Sequence, residues 1–251
     1  MAKWVEAVKD RRYRERVTTE APDPRALLDS VGMLGDESRW RLFSFIRRAR
    51  RAVTREEAAE TVGISRKLAA FHLDKMVAAG LLHARYDAVG DVPKVGRRPK
   101  VYEPVASDIT VSIPGRQYQL LADLLLDTVM SERTEQSGAE VATRTARERG
   151  VELGAARTSG DEELSGETAL PTCGALLEPF GYDPVLVDGE VRLVNCPFHP
   201  LADKARALVC GMNQAFLTGY LEGLEVADVE AELQPTPGEC CVRLRPAGRT
   251  T

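Results

Sequence analysis

Residues 54–82, TREEAAETVGISRKLAAFHLDKMVAAGLL, place two helix starts and two helix stops in one short stretch, a pattern few folds accept. Thr54 suits an N-cap, because its hydroxyl can take an amide that the first turn leaves without a partner. Glu57, three residues on, makes a capping box with it. Glu56 to Val62 then read as a short helix. Gly63 stops it, since glycine enters the left-handed backbone of a tight turn without a steric cost. Ser65 caps a second helix that runs to about Ala79, and Gly80 ends it. Ala69, Leu73 and Met76 fall at i, i+4 and i+7, which is one inward face. Two short helices about a glycine-containing turn are a helix-turn-helix.

The flanks extend this unit. Leu27, Leu28, Val31 and Leu34 recur at helical spacing, and Asp36 caps a further helix with Trp40, Leu42, Phe43 and Ile46 as its apolar face. RRARR, Arg47 to Arg51, closes that helix, where cations suit the dipole and are also placed to meet phosphate. After Gly80, LLHARYDA and VYEPV read as strands joined by the basic loop VGDVPKVGRRPK, which is the wing of a winged helix. A second helix seated in a DNA major groove would turn outward Ser65, Arg66, Lys67, Ala70 and Phe71. Arg66 suits guanine edges or phosphate, Ser65 and the helix amides suit phosphate, and Phe71 suits thymine methyls. Arg97, Arg98 and Lys100 of the wing suit a minor groove or the backbone.

Charge divides the same way. The net charge of −4 hides a first half, residues 1–105, with 22 Lys and Arg against 15 Asp and Glu, a net of +7. Residues 106–251 carry 12 against 23, a net of −11. A basic module for a polyanion joined to an acidic module with another task is the expectation.

All five cysteines lie in the acidic half: Cys173, Cys196, Cys210, Cys240 and Cys241. Cys196-Pro-Phe-His199 is a C-x2-H pair, thirteen residues separate Cys196 from Cys210, and twenty-nine separate Cys210 from Cys240. Thiolates with an imidazole can hold zinc, and three or four thiolates can hold an iron–sulfur cluster. Cys210 falls early in a helix over Leu201–Leu224, where the dipole favours a thiolate. The alternative is that these are small buried hydrophobes. Catalytic signatures are absent: no Gly-rich phosphate loop, nucleophile elbow or zinc-protease helix occurs, so an enzyme is not expected.

SRKLAAFHLDKMVAAGLL followed by GRRPKVYEP resembles the ArsR-like winged-helix regulators over about residues 25–105. That resemblance implies dimeric binding to an inverted repeat, with His72 at the family's His-Leu position as a packing residue. NCPFHPLADKARALVCGMNQAFLTGYLEGL, GECCVRL and PGRQYQLLADLL are similar to the SufR-type, iron–sulfur-sensing subgroup. Carried onto this chain, the resemblance implies Cys196, Cys210 and one of Cys240 or Cys241 as ligands, with His199 or Cys173 as the fourth.

The fold class expected is α+β, in four parts: a polar arm over 1–24, a winged helix-turn-helix over 25–105, dimerisation helices and a linker over 106–167, and a cysteine-containing sensor domain over 168–251. Tyr118, Leu121, Leu125 and Val129 on one helix, and a second helix over about 135–153, are expected to form a dimer interface, and 154–167 to be the linker. The function expected is a DNA-binding regulator, a repressor, working as a homodimer on a palindromic operator and tuned by an iron–sulfur cluster or metal. The alternatives are a regulator with structural zinc and an organic signal, or a protein-interaction module that binds no DNA. With no apolar run of membrane-spanning length and no apolar leader in MAKWVEAVKDRRYRER, the expected location is cytoplasmic, away from any membrane.

Overall fold

The computed structural model describes residues 24–86, 99–105, 110–131, 136–157 and 164–248. The chain is a mixture of helix and sheet and divides into two compact units, Pro22–Val111 and a second that takes in Ser112–Thr251. The arm expected over 1–24 lies outside the described residues but for Pro24, as does the tip of the basic loop. Among the described residues no helix is long and apolar enough to cross a membrane.

In the first unit the order is α1 (Pro24–Met33), α2 (Glu37–Ala49), β1 (Val53–Thr54), α3 (Arg55–Val62), α4 (Arg66–Ala78), β2 (Leu82–Tyr86) and β3 (Lys100–Pro104). The caps are local. Asp36 accepts from the Arg39 amide at 3.0 Å, Thr54 from Glu57 at 3.2 Å and Ser65 from Leu68 at 3.2 Å. The reciprocal half of the Thr54 box is diverted, because the Glu57 carboxylate pairs with Arg51. Gly63 ends α3 at φ 77°. The three strands run antiparallel in the order β1-β3-β2. Leu42, Ile46, Val53, Ala58, Leu73, Met76 and Tyr102 form the core. Trp40, expected on the apolar face of α2, is instead 49% exposed.

The second unit contains α5 (Tyr118–Met130), α6 (Gly138–Arg157), α7 (Ala169–Ala175), β4 (Pro184–Val187), β5 (Glu190–Leu193), α8 (Leu201–Lys204), α9 (Arg206–Gly223), β6 (Val229–Leu233) and β7 (Val242–Pro246). Its antiparallel sheet has the order β4-β5-β7-β6. Asp188 and Gly189, both at positive φ, turn β4 into β5 as the Asp-Gly pair required. The helix expected over Leu201–Leu224 breaks at Ala205 into α8 and α9.

The main packing event is between α6 and α9. A Cβ built on Gly150 would lie 2.1 Å from the Phe216 carbonyl oxygen, and one on Gly154 2.3 Å from that of Tyr220. Seen from α9, a Cβ on Gly219 would meet the Arg147 carbonyl at 2.1 Å and one on Gly223 that of Val151 at 2.3 Å. The two backbones are therefore in direct contact, with no room for any side chain at the crossing. This corrects one expectation: α6 runs to Arg157, with Gly154 inside the crossing rather than opening a linker.

Gly219→Ala is expected to lower stability by about 1–3 kcal/mol or more, because the clash is with backbone that no rotamer change relieves. Gly211→Ala, on the same helix with nothing near its Cβ position, is expected to gain roughly 0.5–1 kcal/mol. Urea unfolding midpoints of the two variants check the contrast.

Candidate functional site

Two places carry the residues singled out by the sequence. On α4, the inward positions Ala69, His72, Leu73 and Met76 are buried. Ser65, Arg66, Lys67 and Phe71 are exposed, and Ala70 is half-buried. Phe71 is 52% exposed, an unusual place for an aromatic ring, and the Lys75 ammonium sits 4.6 Å from its centroid. His72 is 7% exposed, with its ring edge-on to Phe71 at 5.5 Å, and so belongs to the packing. Arg97 and Arg98 lie outside the described residues. Lys100 opens β3, and its ammonium is held 2.6 Å from Asp74 of α4. Asp74 also accepts from the Tyr102 hydroxyl at 3.0 Å. Burial first, and then this bond to a carboxylate, push the Tyr102 hydroxyl well above the usual tyrosine range. Lys100 and Tyr102 therefore fasten α4 to the hairpin, a structural task the sequence pattern alone did not indicate.

The other residues singled out are thiols, buried but for the half-buried Cys196. Cys196 follows β5, Cys240 and Cys241 precede β7, and Cys210 lies on α9. Strands β5 and β7 are neighbours, and the Cys240 amide donates to the Leu193 carbonyl at 2.8 Å, which brings the ends of both strands together. The thiols meet pairwise: Cys196 with Cys240, Cys240 with Cys241, and Cys241 with Cys210. The hydrogen bond to Cys240, helped by burial, raises the Cys196 thiol far above its usual range. For Cys240 the bond with Cys196 lowers the value, but the bond with Cys241 and burial outweigh it, and the thiol is pushed up to about 12. Cys210 is raised too, mainly by burial, against lowering contributions from Cys241 and Arg206. The dipole advantage expected for Cys210 is thus overridden by desolvation.

Sulfur-directed donors surround this chain of thiols. The backbone amides of Phe198 and His199 point to Cys196, and that of Val242 to Cys240. The Asn213 side chain donates to the Cys240 sulfur at 3.2 Å and accepts from the Tyr182 hydroxyl. The Cys173 thiol and the His199 side chain have other neighbours. Cys173 is buried on α7 with Tyr220 as an electrostatic neighbour, and burial lifts its thiol to about 11. His199 is exposed, with its Nδ1 3.4 Å from Asp203.

The segment before α5 clasps the Cys196–His199 loop. Arg116 donates to the Cys196 carbonyl at 3.3 Å and to Asn195 Oδ1 at 2.6 Å. The Gln117 amide donates to the Pro197 carbonyl at 2.9 Å, and the Tyr118 hydroxyl to the His199 carbonyl at 2.7 Å. Asn195 returns a bond to the Gly115 carbonyl at 2.9 Å. Arg116, Gln117 and Asn195 did not stand out in the sequence, since each partner is distant along the chain, and Tyr118, expected on a dimer face, donates its hydroxyl to His199.

No family model, no curated protein and no solved structure matches this chain.

Among the described residues, no three His, Cys, Asp or Glu side chains close around one point to hold a metal ion. The thiols meet in pairs instead. The donor set nevertheless fits a thiolate-held group in its chemistry: up to four sulfurs, none spent on a disulfide, with N–H donors already aimed at two of them.

Because the thiolate is the nucleophile, the raised thiols are expected to be slow at neutral pH. In the metal-free protein, Cys196 and Cys240 are expected to alkylate more slowly than free cysteine at pH 7, the rate rising with pH as the proton is lost. Peptide-resolved mass spectrometry after iodoacetamide checks this; complete labelling at the rate of free cysteine would contradict it.

Proposed function

We propose that the chain is a DNA-binding transcriptional regulator, a winged helix-turn-helix of the ArsR-like kind whose thiol-bearing unit resembles the SufR type. The observation that carries the reading is the division of α4: its inward face holds the core, while Ser65, Arg66, Lys67 and Phe71 at its N-terminal end remain exposed. Phe71, 52% exposed next to Arg66 and Lys67, adds an apolar contact surface to that cationic helix start. An exposed cationic helix start suits the major groove of double-stranded DNA, with the antiparallel β2–β3 hairpin beside it as the wing. The +7 charge of the first half adds the sequence-independent attraction to phosphate.

A homodimer on a palindromic operator is part of the proposal. Helix α5 supports it: Leu120, Leu121 and Leu124 are buried, while Leu126 is 58%, Val129 66% and Met130 48% exposed on the other side. An apolar strip of this kind, left uncovered by its own chain, suits a second copy of the same helix.

In the thiol unit Cys196, Cys210, Cys240 and Cys241 are the residues proposed to hold an iron–sulfur cluster, zinc being the alternative. The cluster, when bound, supplies sensitivity to oxidants and to iron supply. What the chain itself contributes is the clasp. Arg116, Gln117 and Tyr118 bind three carbonyls of the Cys196–His199 loop and lie directly at the start of α5. A change in that loop therefore bears on the first turn of the proposed dimer helix. Half-sites sit about one DNA turn apart, roughly 34 Å, so a small shift of a dimer helix changes how well two reading heads match an operator.

Fluorescence anisotropy with DNA from the promoter of the chain's own gene tests the reading. Binding is expected to fall steeply with salt. Arg66→Ala is expected to cost about 1–3 kcal/mol and to relax base preference at one position of each half-site. No binding to any duplex at low salt would leave the protein-interaction reading in its place.

Leu126→Asp is expected to convert a dimer to a monomer in sedimentation velocity without loss of helical content. An unchanged dimer would remove α5 from the interface.

A further inference from the structure

We propose that Asn213 is a positioning residue of the thiol site: its side-chain amide, fixed by Tyr182, donates to the Cys240 sulfur and raises the reduction potential of the iron–sulfur group held there. The inference rests on the thiol-held cluster of the preceding reading. Its own basis is a buried polar chain that ends on a thiol. Tyr182, Asn213 and Cys240 are 1%, 1% and 3% exposed. A carboxamide so deeply buried is costly unless its polar atoms are used. Here Oδ1 takes the Tyr182 hydroxyl proton, and Nδ2 lies 3.2 Å from Cys240 Sγ.

Asparagine is a poor helix former, and nothing in α9 itself calls for it at this position. Its use lies across the core, at a residue 27 positions along the chain. A thiol sulfur is a weak acceptor, whereas a sulfur that has given up its proton to iron carries negative charge and can only accept. The Asn213 N–H is in place for that second state, beside the Val242 amide directed at the same sulfur. Tyr182 suits both states. A hydroxyl donates or accepts, so the amide can turn its oxygen to a protonated Cys240 and its N–H to a deprotonated one. Hydrogen bonds to ligand sulfurs withdraw electron density and favour the reduced cluster.

The test uses the full chain, loaded anaerobically with ferrous iron and sulfide and titrated with a reductant while visible absorbance is followed. The variants are Asn213→Leu, Tyr182→Phe, and the pair Tyr182→Phe/Asn213→Leu, which removes both polar groups together so that neither is orphaned. All are expected to load as the wild type does. Asn213→Leu and the pair are expected to shift the midpoint to lower potential. Tyr182→Phe, which keeps the N–H donor, is expected to shift it less and in the same direction. A pair variant that folds and loads normally yet titrates at the wild-type midpoint would overturn the inference. So would one that keeps its fold by circular dichroism and loses loading, since Asn213 would then be part of the scaffold or ligand set. Failure of the wild type to take up iron and sulfide would sink the cluster reading itself, and the inference with it.

Discussion

The crossing of α6 and α9 is the contact on which the second unit depends. Gly150 and Gly154 on one helix and Gly219 and Gly223 on the other let two backbones touch. Helix α9 is thereby held at a fixed depth. The same helix carries Cys210 and Asn213, and both must meet residues that precede β7. Phe216 and Tyr220, fully buried between the crossing and the rest of the core, pack against Phe180 at centroid distances of 5.6 and 5.2 Å. A thicker crossing would move α9 as a body, and the alignment at the thiols would move with it. The Arg147–Glu222 ion pair at the flank is exposed and adds little by comparison.

Around the thiols, burial and directed N–H groups oppose each other. At Cys196 and Cys240 burial disfavours charge, while amides from Phe198, His199, Val242 and Asn213 are directed at the two sulfurs. A positive metal centre would reverse the first term and keep the second.

Features governed by neighbours in sequence were legible. Caps at Asp36, Thr54 and Ser65, the stop at Gly63 and the Asp188-Gly189 turn all follow from residues within four positions of one another. The outward set on α4 was legible for the same reason, since helical period alone separates Arg66, Lys67 and Phe71 from Ala69, Leu73 and Met76. The glycine crossing was not. Glycine inside a helix looks like a weakness, and only the opposing backbone some seventy positions away makes it a requirement. Asn213 and Arg116 were hidden likewise: each is an ordinary polar residue until its distant partner is known. Of the thiols, spacing pointed to Cys196, Cys210, Cys240 and Cys241, but it gave no reason to set Cys173 and His199 apart. Burial on α7 and a carboxylate neighbour, respectively, do so.

The clasp on the Cys196–His199 loop has a consequence for how this surface tolerates change. Loops ordinarily accept insertions more readily than the elements they join. Here Arg116, Gln117 and Tyr118 hold main-chain carbonyls of Cys196, Pro197 and His199. A carbonyl acceptor is indifferent to the side chain that it carries, so the spelling of this loop is free at positions whose side chains have no other task. Its length is not: one added residue between Asn195 and His199 would put every later acceptor out of step with its donor. In homologous chains, variation in that loop is therefore expected as substitution, and gaps elsewhere.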